Sequence, residues 1–114
     1  MASIGDVNDR SGIIVKVGLF DSTDTPITTT SGTWTLVTDD EAATIINSRD
    51  QVTLPERNAD GYYYIGLTGD DTAFEDGSGR YLIIEATYYN SLTASTMDIK
   101  EYCTFKVVDL RHIT

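Results

Sequence analysis

The sequence has a single cysteine, Cys103, so no disulfide can form within the chain. Cys103 stands in an apolar alternating run, where a thiol reads as a small buried hydrophobe and not as a nucleophile. The one histidine, His112, lies two residues from the end of the sequence, where no fixed group would orient it as a base or a ligand. Basic residues are also scarce, with 8 Lys and Arg against 18 Asp and Glu and a formal net charge of -10. Such a chain repels a phosphate backbone and an anionic membrane, which excludes nucleic acid and membrane as expected partners. Its acidity favours solubility over recognition of a basic partner. No span of about 20 apolar residues occurs, and the start Met1-Ala2-Ser3-Ile4-Gly5-Asp6 lacks the basic and apolar regions of an export signal, so folding in the cytoplasm is expected. There is no Gly-rich phosphate loop, no Cys or His pair at metal spacing and no Gly-x-Ser-x-Gly. The expectation is a protein that is not an enzyme and needs no cofactor.

What is present is alternation. With 114 residues, 40% hydrophobic and 23% charged, the chain has the size and composition of one globular domain. Apolar and polar residues alternate with period two between clusters of Gly, Pro, Asn and Asp, which is the pattern of half-buried strands. Ile13 to Phe20 places Ile13, Val15, Val17 and Leu19 on one face. Gly32 to Thr38 sets Trp34 and Leu36 against Thr33, Thr35 and Val37, and Ala43 to Ile46 would close a hairpin with it. Val52 and Leu54 suggest an edge segment that Pro55 ends, because proline donates no ladder hydrogen bond. Tyr62 to Thr68 sets Tyr63, Ile65 and Leu67 opposite Tyr62, Tyr64 and Gly66. Gly69 to Gly79 reads as a connection with one helical turn near Thr72 and with Phe74 pinned to the core. Arg80 to Asn90 carries Leu82, Ile84, Ala86 and Tyr88 inward, and Met97 to Val108 carries Ile99, Cys103, Phe105 and Val107 inward.

Strands at this spacing, with no helices between them, predict an all-β fold: a single immunoglobulin-like antiparallel β-sandwich of about seven strands over residues 12–109. Residues 1–11 lack periodicity and are expected to form a flexible N-terminal arm, and residues 110–114 a C-terminal tail. No internal repeat or heptad appears.

Two features carry candidate chemistry. Asp70, Asp71, Glu75 and Asp76 share one Gly-containing loop and offer clustered oxygen ligands to a hard cation such as calcium, although their spacing is not that of an EF-hand. Turn-forming Asp residues in a solvated acidic loop explain the same cluster. The other feature is tyrosine: Tyr62, Tyr64 and Tyr89 fall on faces opposite the core, and exposed Tyr is enriched in recognition surfaces because it combines area, rigidity and a polar tip. Cross-strand aromatic pairing on a solvated sheet is the alternative. Thr28-Thr29-Thr30-Ser31 holds hydroxyls with no base nearby and reads as strand edge.

The segments Gly32-Thr33-Trp34-Thr35-Leu36, Thr44-Ile45-Ile46-Asn47-Ser48-Arg49, Ile65-Gly66-Leu67-Thr68-Gly69-Asp70-Asp71 and Arg80-Tyr81-Leu82-Ile83-Ile84-Glu85-Ala86-Thr87-Tyr88 resemble small immunoglobulin-like proteins of tailed bacteriophages, over about residues 13 to 109. The layout is also similar to fibronectin type III domains, without a tyrosine corner, since Tyr81 is out of phase with Leu82, Ile84 and Ala86. The resemblance carries over no functional residue. It implies a bacteriophage virion structural protein, a capsid decoration or head accessory protein, located in the virion and made in the host cytoplasm. The partners it implies are other virion proteins, capsid or tail subunits, with a homo-oligomer on the particle left open. A tail or head-tail junction component, or a module that binds glycans on the host surface, is the alternative.

Overall fold

β-Branched and aromatic residues at every second position favour a pleated, half-buried backbone, and they dominate most strands of the computed structural model, which describes residues 2–108. Seven strands follow in chain order: β1 (Ala2–Asn8), β2 (Ile13–Gly18), β3 (Ser31–Thr38), β4 (Val52–Thr53), β5 (Tyr62–Leu67), β6 (Gly79–Asn90) and β7 (Ser95–Val108). They form an all-β arrangement of two sheets, one of five strands in the order β1-β7-β6-β3-β4 and one of two, β2-β5. Val15, Val17, Tyr63, Ile65 and Leu67 of the smaller sheet share a core with Trp34, Leu36, Leu82, Ile84, Cys103, Phe105 and Val107 of the larger. Removing a Leu or Ile side chain of this kind from water contributes about 1.5–3 kcal/mol each. The hydroxyl of the buried Tyr63 donates to the Ile27 carbonyl at 2.8 Å and accepts from the Thr29 amide at 3.1 Å, so its polar tip is satisfied inside the core.

The structure corrects the sequence reading at several places. In place of a free arm over residues 1–11, Ala2–Asn8 form β1, which pairs with β7 and buries Val7. That pairing is parallel, so the larger sheet is mixed and not purely antiparallel. A bulge between Ser3 and Gly5 interrupts the register, and Gly5 holds a φ of 96°, a left-handed backbone that glycine adopts at least cost. Ala43 to Ile46 is not a strand. It gives only an isolated bridge between Val37 and Ile45, because Ala43, Asn47 and Ser48 all take positive φ and coil the segment. The coil still lies along β3, with the Leu36 amide bound to the Arg49 carbonyl and the Ile46 amide to the Leu36 carbonyl, both at 2.9 Å. Both faces of β3 are covered: Thr35 and Val37 are buried together with Trp34 and Leu36, and the Thr35 hydroxyl accepts from the Gln51 amide at 3.0 Å. Phe74, expected in the core, is exposed, and two short 3-10 turns, Asp70–Thr72 and Phe74–Asp76, replace the single turn near Thr72. The expected tail, with His112, and residue 109 lie outside the described residues.

β6 and β7 outrun their neighbours. β3 accompanies β6 only as far as Thr87, and β1 reaches β7 only from Cys103, so Tyr88–Asn90 and Ser95–Met97 pair with nothing but each other. The chain measures 56 × 28 × 20 Å with a radius of gyration of 15.4 Å, against about 13 Å for a compact chain of this length.

Candidate functional site

The acidic loop between β5 and β6 is built around two buried charges, Asp71 and Arg80. The Asp71 carboxylate accepts from Asn47 Nδ2 and Arg49 Nε, each at 2.9 Å, through one oxygen, and from the Thr68 amide at 2.7 Å and the Thr68 hydroxyl at 3.1 Å through the other. Burial alone would raise its pKa. The hydrogen bonds from Arg49, Asn47 and Thr68 outweigh burial and hold it below the ordinary carboxylate value. Arg80 spreads its guanidinium over main-chain carbonyls, donating to Asp71 at 3.3 Å, Ala73 at 2.7 Å, Gly77 at 2.6 Å and Gly79 at 3.1 Å. Burial lowers the Arg80 pKa, and the charges of Asp76 and Asp71 oppose that shift.

The four carboxylates of this loop therefore face different partners. Asp71 is turned inward onto Arg49, whereas the exposed Asp70 and Glu75 both meet Arg10, with Arg10 to Asp70 at 3.3 Å. Asp76 is exposed at the end of the second turn. Among the described residues no group of three or more His, Cys, Asp or Glu side chains is placed to hold a metal ion. The loop also fastens the β1–β2 connection, since the Arg10 amide binds the Thr72 carbonyl at 3.0 Å and the Gly12 amide binds the Thr72 hydroxyl at 3.1 Å. Its chemistry is that of a clasp.

The three tyrosines do not form one surface. Tyr62 and Tyr64 lie on the outer face of the β2–β5 sheet, and Tyr89 lies on the outward side of β6 in the other sheet. The Tyr62 ring carries the Lys16 ammonium 4.1 Å from its centroid and makes a T-shaped pair with Phe20 at a centroid distance of 5.8 Å. The Tyr64 hydroxyl donates to Asp60, which raises the tyrosine pKa and lowers that of the carboxyl. Tyr89 has no such engagement and is 58% exposed.

Tyr89 marks the root of a feature that the period-two pattern, which runs to Asn90 and resumes at Met97, does not describe. At the end of the β6–β7 ribbon, Leu92 is 89% exposed and Met97 38%. The signal in the sequence was the absence of charge: no Asp, Glu, Lys or Arg stands between Glu85 and Asp98. An uncharged tip with exposed aromatic and aliphatic side chains is suited to contact with another protein.

Comparison with protein-family models, curated proteins and solved structures returns no match.

Proposed function

We propose that the chain is an immunoglobulin-like structural protein of a bacteriophage particle, a capsid decoration or head accessory protein that docks on other virion subunits. Strand order supports the immunoglobulin-like reading. β3, β6 and β7 share one sheet and face β2 and β5, as the third, sixth and seventh strands of an immunoglobulin domain face its second and fifth, whereas β1 and β4, whose counterparts lie with the second and fifth strands in a constant-type domain, here join the larger sheet. Trp34 is buried on β3, the strand on which such domains carry their core tryptophan. The resemblance of the segments quoted above to small phage immunoglobulin-like proteins supports the particle as its setting.

The observation that carries the docking role is the ribbon beyond Thr87, which projects uncharged apolar side chains from an otherwise acidic body. The acidic body keeps free copies apart, and the ribbon offers another protein a contact that carries no charge of its own between Glu85 and Asp98. Mass spectrometry and cryo-microscopy of purified particles test the reading. The expected result is a repeated density of this size on the head, with peptides of the chain in stoichiometric amount. Density on the tail would relocate the protein, and particles free of the chain would remove the proposal.

A further inference from the structure

The two sheets are unequal, five strands against two, and each ends in an unshared edge at one flank of the sandwich. Among the described residues β1 pairs with β7 alone and β2 with β5 alone, so each has a second edge with no neighbouring strand. Four residues, Asp9 to Gly12, join β1 to β2, and the Ser11 amide closes a turn on the Asn8 carbonyl at 3.1 Å. Packed sheets lie about 10 Å apart, so a connection this short crosses from one to the other without running far along either. β5 occupies the opposite side of β2, toward β4, where Tyr63 lines one groove with Thr53 and Leu54. The free edge of β2 therefore turns toward the β1 flank. Apolar cover is incomplete there, with Ile4 40% exposed and Ile13 only partly buried.

We infer that two copies of the chain close this flank against each other about a two-fold axis parallel to the strands, β1 of each adding to β2 of the other. β1 runs toward the loop that binds Arg10 and Gly12, and β2 runs away from it, so such an axis sets the two strands antiparallel. It also exchanges the layers: each five-stranded sheet continues into the partner's two-stranded one, and the open edges of β1 and β2 are both filled. The dimer involves no other protein and so does not depend on the virion reading.

Charge selects this pairing over its alternatives. Asp6 is the only charged residue of β1 and Lys16 the only one of β2. Both are exposed, and neither belongs to an ion pair among the described residues. Asp6 alternates with the buried Val7, and Lys16 with the buried Val15 and Val17, so both point outward from the core. Setting Asp6 opposite the partner's Lys16 places Val7 opposite Val15 on the core side and Asn8 opposite Ile14 on the outer side. Asp6 then stands in one row between Lys106, its neighbour on β7, and that lysine. Pairing β1 with β1 would bring Asp6 toward Asp6, and pairing β2 with β2 would offer Lys16 no carboxylate. Net charges of -10 oppose the approach of two bodies in dilute salt, and at physiological strength that repulsion is screened beyond about 8 Å.

Sedimentation of the purified chain tests the dimer. A monomer–dimer equilibrium is expected, shifting toward dimer between about 50 and 500 mM salt. Lys16→Glu and Asp6→Lys should each weaken dimerisation by about fivefold or more, since each sets like charges opposite one another twice per dimer. Asp6→Lys is the sharper of the two, because it reduces the net charge and general repulsion alone would make it strengthen association. The double variant should return to within about twofold of the unaltered chain. Oxidising a mixture of Asn8→Cys and Ile14→Cys chains should link them by a disulfide, whereas Asn8→Cys mixed with Gly66→Cys, one strand further away, should not link. Thermal unfolding of each variant confirms that it folds. A chain that stays monomeric at every salt and protein concentration, with no cross-link, overturns the dimer. A dimer that ignores both charge reversals, or that links through Gly66→Cys in place of Ile14→Cys, uses another surface and overturns the β1–β2 pairing.

Discussion

Arg80 and Asp71 are both withdrawn from solvent, yet their side chains do not pair with each other: Arg80 Nε reaches the Asp71 main-chain carbonyl at 3.3 Å, while the Asp71 carboxylate is bound by Arg49. Each residue thus holds a different part of one loop. Asp71 ties the loop to the coil beside β3, and Arg80 gathers the carbonyls of the loop around the start of β6.

Arg80→Met is expected to lower stability by about 1–3 kcal/mol, because the methionine fills space but removes the guanidinium from four carbonyls, of which those of Ala73 and Gly79 keep the amides of Asp76 and Asp39 as donors. Arg80→Lys should recover less than half of that loss, since an ammonium cannot fork across the same acceptors. Urea unfolding measures both, and a loss below about 1 kcal/mol for Arg80→Met would contradict the role.

The Asp71 carboxyl titrates below its ordinary value of 3.8 when folded. A lowered folded pKa means that ionised Asp71 contributes fully above the unfolded value and loses its contribution as pH falls through the folded one. Stability should therefore decline on acidification below about pH 4, and Asp71→Asn should flatten that part of the curve while costing about 1–3 kcal/mol at neutral pH. Melting temperatures of both proteins between about pH 2 and 7 decide it. Parallel acid limbs would show that Asp71 is not responsible.

Removing residues 1–8 should cost about 3 kcal/mol, because Val7 leaves the core and the fully buried Val107 gains an open flank. A free arm could be cut away with no change in stability. Val7→Asp provides the point-substitution counterpart, and hydrogen exchange at the β7 amides reports the same loss locally.

Cys103 is buried, and burial raises its thiol pKa, with Glu101 adding to the shift. In the native protein at pH 7 a thiol reagent should label it at least about a thousandfold more slowly than a free cysteine, with full reactivity returning in denaturant. Prompt labelling without denaturant would mean that β7 opens readily at its centre.

The strands legible in the sequence were those with unbroken period-two alternation, β2, β3, β5, β6 and β7, together with the short edge segment at Val52 that became β4. β1 was not legible because the bulge at Ser3 and Gly5 breaks the alternation, so that Ile4 and Val7 share no period. The segment around Ile45 carried β-branched residues, but positive φ at Ala43, Asn47 and Ser48 decided its path, and a preference for strand could not reveal that. Phe74 was expected to anchor its loop because it is the largest apolar residue there. The loop's carbonyls needed donors more than its surface needed burial, and Arg80 supplies them. At the candidate site, Tyr89 could be read as outward-facing from its phase in β6. Leu92 could not be read as a projecting apex, because the projection depends on where β3 and β1 stop, and those limits are set by pairing far away in the chain.

The parallel union of β1 and β7 has a mechanical consequence. Ala2 lies opposite Cys103 and Asn8 opposite Val108, so the two strands run side by side in the same direction. Tension entering at Ala2 and leaving at Val108 slides one strand along the other and loads the rungs between them together, where an antiparallel pair would open one rung at a time. A protein fastened at both of these points would behave as a strap that yields late and abruptly, a property of strand direction and not of the number of bonds.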